Sequence, residues 1–233
     1  MSTDRLRKDW DVDPAEARQI QQNLREKVAI QPLEREVLLV GGTDISYDRG
    51  SDRMYGGIVI LDIENLQEVA RSMAETRVKF PYIPGLLAFR EMPALQLAWN
   101  RLSVKPDLVI TDGHGLAHPR RMGIAAHLGV LLEMPAVGCA KKVLTGEYEE
   151  PGRRKGSVSD LVDGDEKIGE VLRSRTDVNP IFVSPGHLIN FEDSTRIVMR
   201  CLSRYKLPET TRAAHERVNQ LRRGEIEPGY LEY

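Results

Sequence analysis

Apolar positions along the chain follow two periods, and each change of period marks a new element. Ala17, Ile20, Leu24 and Val28 recur at three- and four-residue spacing, so the first helix carries them on one face. Asp13 precedes Pro14, and Glu16 follows three residues after Asp13, a capping-box-like start with proline at the first helical position. Val37-Leu-Leu-Val40 is continuously apolar instead, as in a strand covered on both faces, and runs through Gly41-Gly42 to Thr43-Asp44. Gly56–Asp62 forms a second strand and Glu68–Val78 a third. The connections Asp48–Asp52 and Glu64–Gln67 are short, so an antiparallel meander is expected.

Lys79-Phe-Pro-Tyr-Ile-Pro-Gly85 interrupts this pattern, because two prolines make it stiff and non-helical. A helix over Leu86–Leu102 follows, which Pro93 must kink or restart. Then come a buried strand at Asp107–Asp112, a helix over Pro119–Leu132 and a short strand at Pro135–Ala140. This alternation predicts parallel pairing with right-handed crossovers. Glu147–Lys155 is polar and reads as a loop. Lys167–Ser174 and Pro180–Ile189 read as a late hairpin near one edge. Helices over Phe191–Tyr205 and Glu209–Arg223 close the pattern, with Gly224 as terminator. The expected fold is an α/β mixed sheet, an antiparallel meander followed by parallel βαβ, flanked by helices in a single domain over residues 1–233.

Composition narrows the class. The 233 residues are 41% hydrophobic and 29% charged, enough for one ordinary packed core. No apolar run approaches a membrane span, and Met1–Trp10 is too charged for a signal peptide. Two cysteines, Cys139 and Cys201, exclude a disulfide scaffold and a four-cysteine zinc site. A reducing, cytoplasmic location is expected. A net charge of −2 does not indicate a globally basic nucleic-acid binder, although a local basic surface stays open.

Two strands of buried type each run into an aspartate, Asp44 and Asp112. Ligands of open α/β sheets bind at the carboxyl ends of strands, and paired carboxylates there suit Mg²⁺. Either aspartate alone is also a common turn former or helix cap. Glu91 shares a helical face with Leu87, Ala94, Leu95, Ala98 and Leu102, where a carboxylate needs a partner or a metal; if Pro93 restarts the helix, Glu91 instead meets a helix dipole. Asp112-Gly-His-Gly-Leu-Ala-His-Pro-Arg-Arg121 is the densest polar cluster. A helix opening at Pro119 would place Arg120 and Arg121 in its first turn, which suggests a phosphate site. Lys141 or Lys142 could reach a scissile phosphate, or both are a solvated pair. Tyr82 reads as a core aromatic by spacing, or as a rigid wedge between bases. His215 reads as structural, His127 and His187 form no constellation, and Arg153–Lys155 is a solvated loop or a phosphate contact.

Taken together, Pro81-Tyr-Ile-Pro-Gly85, Phe89-Arg-Glu91, Asp112-Gly-His-Gly115, His118-Pro-Arg-Arg121 and Ala140-Lys-Lys142 resemble the endonuclease V family of deoxyinosine-directed repair nucleases. The match runs from Gly42-Thr-Asp44 to Leu207-Pro-Glu-Thr-Thr-Arg212, where the family commonly reads Glu-Pro-Thr. The resemblance implies a ribonuclease H-like fold and Mg²⁺-dependent phosphodiester hydrolysis, with Mn²⁺ able to substitute. It implies a nick at the second bond 3′ to the deaminated base, leaving a 3′-hydroxyl and a 5′-phosphate. Asp44, Glu91 and Asp112 match the metal-binding carboxylates, and His118 and Lys141 join them as catalytic residues. Tyr82 matches the wedge, and Arg90 and His215 supporting positions. Pro81, Ile83, Gly85, Gly113 and Arg120 are expected around the DNA. The implied partner is deoxyinosine-containing DNA met by a monomer. The alternatives are an inosine-directed endoribonuclease, a lesion-binding module without catalysis, and a small-nucleotide phosphatase.

Overall fold

The computed structural model describes residues 10–48 and 50–233. The charged start at residues 1–9, and Arg49 in the first strand connection, lie outside them. The described strands form a single ten-stranded sheet in the order β10 (Gly229–Glu232), β3 (Glu68–Arg77), β2 (Arg53–Asp62), β1 (Leu39–Tyr47), β4 (Leu108–Thr111), β5 (Ala136–Ala140), β9 (Ile181–His187), β8 (Glu166–Leu172), β7 (Val158–Asp163) and β6 (Glu147–Tyr148).

The expected meander is present. β1 (Leu39–Tyr47), β2 (Arg53–Asp62) and β3 (Glu68–Arg77) pair antiparallel in sequence order. The chain then crosses over through α2 (Leu87–Arg101) to β4 (Leu108–Thr111), which pairs parallel with β1. A second crossover through α3 (Ile124–Leu132) leads to β5 (Ala136–Ala140), parallel to β4. Residues alternate along β2 between two helical layers. Ile58 and Ile60 pack under α2, whereas Tyr55, Val59 and Leu61 pack under α5 (Glu209–Arg222). α1 (Pro14–Arg25) begins where the capping pattern placed it, with the Asp13 carboxylate accepting from the Ala15 and Glu16 amides.

Several expectations need correction. α2 is one helix that contains Pro93, neither ended nor restarted there. A proline inside a helix costs about 3 kcal/mol, and the buried stripe of Ala88, Met92, Leu95 and Ala98 offsets that cost. The helix expected from Pro119 starts only at Ile124. His118–Arg121 is a turn instead, closed by Arg121 N–H donating to His118 O at 2.8 Å and ended by Arg121 at φ +55°. The late hairpin of β8 (Glu166–Leu172) and β9 (Ile181–His187) is interior, since β9 pairs with β5, and β7 (Val158–Asp163) and β6 (Glu147–Tyr148) lie outside β8. The helix expected over Phe191–Tyr205 is α4 (Phe191–Arg200), which stops at Arg200. Gly224 does end α5, at φ +73°, and the tail then returns as β10 (Gly229–Glu232) along β3. Both cysteines are free and buried. No helix among the described residues is long and apolar enough to cross a membrane.

Candidate active site

The parallel register pairs Thr43 with Thr111. Asp44 and Asp112, one residue further on, therefore stand side by side on neighbouring strands. Glu91 reaches the same place from α2. The three carboxylates share a cleft of about 50 Å³ with Thr43, Thr111 and Ile124.

Their electrostatics follow from this crowding. Glu91 is pushed up to about 8, first by burial and then by the negative charges of Asp44 and Asp112, with Arg90 opposing. Asp44 is raised to about 6, chiefly by burial; His215 pulls it down and Asp112 pushes it up. Two side chains brace the pair. Lys141, just past β5, donates from Nζ to Asp112 Oδ2. His215 on α5 donates from Nδ1 to Asp44 Oδ2 at 2.9 Å, and Asn219 Nδ2 donates to the other ring nitrogen at 3.2 Å. His215 thus contacts the site, in keeping with the family resemblance and unlike its reading from spacing alone as a lone structural histidine. Gly42 allows this approach, because a Cβ there would lie 2.0 Å from Thr210 O at the start of α5.

Among the described residues, no three His, Cys, Asp or Glu side chains converge in an arrangement that could already hold a metal ion. The chemistry of the donor set nevertheless fits a hard divalent cation, because it is all oxygen and its mutual repulsion is what a cation relieves.

A second cavity of about 170 Å³ adjoins the cleft through Glu91 and Asp112, and Tyr82, Gly85, Gly113 and His118 line it. Tyr82 is 65% exposed, so it is not a core aromatic. The loop bearing it is clamped at both ends. Arg90 Nη1 donates to Phe80 O at 2.7 Å, and Arg120 Nη2 donates to Gly85 O at 2.6 Å. Pro81 is exposed beside Tyr82, while Ile83 turns inward against Phe80, Leu86 and Phe89. Gly85 takes φ +78°, and a Cβ on it would lie 2.8 Å from Arg120 Nη2.

His118 is 3% exposed and accepts at Nδ1 from the Arg120 amide at 3.1 Å. Burial and then Arg120 lower its pKa to about 4, while a hydrogen bond to the Gly85 main chain opposes them. It is neutral at physiological pH, with its proton on Nε2. His114 lines the same cavity and is also lowered to about 4, chiefly by burial.

The phosphate site read into Arg120 and Arg121 does not form, because no helix begins there. Arg120 turns inward to Gly85 and Gln21, and Arg121 pairs with Asp163 and Glu166. Lys142 is exposed, and Arg153 pairs with Asp177 on the surface. His187 accepts from the Ala29 amide, and His127 packs on Trp10 and Phe89, both away from the cleft. Sequence reasoning missed Gln21, Asn219 and Ser184, whose hydroxyl accepts from the Gly115 amide at 2.8 Å. Only Gln21 left a signal, as a polar residue one turn after Ala17 on the apolar face of α1.

A mixed sheet with carboxylates leaving two neighbouring parallel strands, a third on the covering helix and a lysine beside them defines a class: metal-dependent nucleases acting on DNA. The family model for Endonuclease V matches residues 22–216. Endonuclease V of Myxococcus xanthus is 46% identical over 224 residues, covering 96% of this chain and 95% of that protein. The crystal structure of Endonuclease V from Streptomyces avermitilis superposes with a TM-score of 0.89 at 38% identity, covering 95% of this chain and 98% of that one. The Ciona intestinalis Endonuclease V, solved with a 24mer DNA containing an inosine followed by a ribo-adenosine, matches with a TM-score of 0.81 at 27% identity, covering 91% and 98%. The chain belongs to the Endonuclease V family of DNA-repair endonucleases.

Proposed function

We propose that this chain nicks DNA at the second phosphodiester bond 3′ to deoxyinosine, leaving a 3′-hydroxyl and a 5′-phosphate. The observation that carries this reading is the adjacency of the three-carboxylate cleft and the cavity beneath Tyr82. One pocket suits a hydrolytic metal, and the other suits an extruded base. All ten described strands belong to one sheet, which favours a single catalytic unit of ribonuclease H-like type; a monomer in the cytoplasm is the setting this reading takes.

Asp44, Glu91 and Asp112 would hold Mg²⁺, or Mn²⁺ in its place. A bound divalent cation polarises a phosphate oxygen and lowers the pKa of a bound water. Lys141 pairs with Asp112 and stands close enough to the cleft to meet developing phosphate charge. His118 is neutral, so it orients by hydrogen bonding from Nε2 and adds no charge. His215 holds the Asp44 carboxylate in one rotamer. Tyr82 fills the space left by the extruded base. Hypoxanthine pairs weakly, so its extrusion costs less than that of a normal base, and selectivity begins there.

A second reading, cleavage of inosine-containing RNA, is favoured by the relative whose bound strand carries a ribonucleotide after the inosine. One experiment tests both. A labelled duplex with one deoxyinosine and a matched inosine RNA are incubated with Mg²⁺ or EDTA, and the products are mapped to the nucleotide. We expect a Mg²⁺-dependent nick one nucleotide beyond the lesion's own 3′ bond in DNA. Cutting of RNA alone would move the substrate and keep the site chemistry. Cutting of neither would leave a lesion-binding module.

A further inference from the structure

Gln21 is 1% exposed on α1, and its carboxamide spends its bonding capacity on three separate segments. Nε2 donates to Gly85 O at 2.9 Å and to Met122 O at 3.2 Å, and Oε1 accepts from Arg120 Nε at 2.7 Å. Arg120 returns to the same Gly85 carbonyl through Nη2 at 2.6 Å. The helix, the turn before α3 and the end of the Tyr82 loop are thereby tied at one point. We propose that Gln21 is a positioning residue for lesion recognition: from α1 it locks the Gly85 end of the loop and so fixes how Tyr82 stands out of the surface. This inference rests on reading Tyr82 as the wedge that replaces an extruded base.

The argument is one of rigidity. A ring that must hold two base steps apart gains nothing if its loop yields instead. Arg90 fixes the Phe80 end, and Tyr82 lies between the two fixed ends, largely exposed. Gly85 is in the left-handed region, so the loop cannot stiffen there through a side chain of its own. Its carbonyl is the available handle, and an apolar residue at 21 would remove one of its two donors and the acceptor that orients the other, Arg120. Gln21 lines the cavity beneath Tyr82, and its hydrogen bonds reach none of Asp44, Glu91, Asp112 or Lys141. The effect therefore belongs to engagement of a paired lesion, where the base must be pulled out. A single strand needs no such extrusion.

The test uses Gln21→Met, which keeps volume and removes the donors, alongside Arg120→Lys and Tyr82→Ala in the full chain. Substrates are a deoxyinosine duplex with 2-aminopurine next to the lesion, and the same strand alone. For Gln21→Met we expect the duplex KM to rise ~10-fold, with kcat within about twofold, as for a misplaced binding element. The 2-aminopurine fluorescence rise on binding in EDTA should shrink, and the single-strand KM should not move. Arg120→Lys should repeat the duplex-specific loss if Gln21→Met fails to fold, and its failure to do so would overturn the lock. If Tyr82→Ala alters duplex KM and fluorescence while the other two variants match the parent, the lock is wrong and the wedge stands. If Tyr82→Ala changes neither, the wedge reading itself falls. Equal loss on both substrates would mark Gln21 as purely structural and overturn the proposal.

Discussion

Glu91 holds a proton that a cation must displace. With Glu91 raised to about 8 and Asp44 to about 6, the metal-free site is partly neutral at physiological pH. A divalent ion binds only the ionised donors, so binding must expel protons. Between about pH 6 and 8 one proton should leave per ion, from Glu91, and the apparent affinity should rise about tenfold per unit of pH. Calorimetric titration of Mg²⁺ in buffers of different ionisation enthalpy measures this count directly. A pH-independent affinity would mean that Glu91 is not among the ligands. Asp112 divides catalysis from binding more sharply. Asp112→Asn keeps the shape of the cleft but removes a charge that Lys141 already partners. We expect cleavage to fall by about 10² to 10³-fold, the usual range for losing one electrostatic group at a reacting centre. Binding of an inosine duplex in EDTA should persist. Undiminished cleavage would remove Asp112 from the mechanism. Gly85→Ala adds a Cβ 2.8 Å from Arg120 Nη2 at φ +78°, and should cost about 1–3 kcal/mol in urea unfolding.

β10 shows how an element can matter without touching the site. It pairs with β3 from Met73 to Ala70 and covers what would otherwise be an open sheet edge. Its Tyr230 hydroxyl also accepts from the Val104 amide after α2, at 3.3 Å. Removing residues 226–233 should leave kcat near that of the parent and bare β3 for pairing with another copy. Static light scattering on warming should then show earlier aggregation than in the intact chain. Unchanged scattering would mean that β3 protects its own edge. β10 also illustrates which elements the sequence conceals. Its Gly-Tyr-Leu-Glu pattern is half exposed, and β7 buries little besides Leu161, so neither carries a long apolar run. The interior strands were legible because both of their faces are covered. The start of α3 was misread because proline at a helix start and proline in a turn look alike; only Arg121 at positive φ separates them. The carboxylates were legible as strand ends and as a polar position on an apolar face. His215 and Tyr82 depended on tertiary placement: one is recruited by the close docking of α5 at Gly42, the other pushed outward by a loop clamped at both ends. Gln21 had the same signature as Glu91, a polar residue among apolar ones at helical spacing, and that signature is as informative on α1 as on α2.

At the scale of the whole molecule, the buried titratable groups set opposing pH trends in stability. Glu91 and Asp44 are raised from ordinary values of 4.5 and 3.8, so the folded chain binds protons that the unfolded chain has released. Their contribution is present at low pH and is lost as pH climbs through about 6 for Asp44 and about 8 for Glu91. His114 and His118 act in the other direction. Lowered from 6.5 to about 4, they stay neutral in the fold while the unfolded chain takes up protons. Their contribution is present above pH 6.5 and is lost as pH falls toward 4. The two pairs roughly cancel between about pH 4.5 and 6, leaving Glu91 alone from about 6.5 to 8. Without divalent ions the melting temperature should therefore decline across that upper window. Mg²⁺ reverses the sign, because it binds the ionised carboxylates of the folded chain and stabilises by mass action. The rise in melting temperature on adding Mg²⁺ should be larger near pH 8.5 than near pH 6.5, and Glu91→Gln should flatten the metal-free decline. A scanning calorimetry series over both pH values, with and without Mg²⁺, reads all three slopes. A metal-induced gain that is the same at both values would mean that the cation binds elsewhere than at these carboxylates.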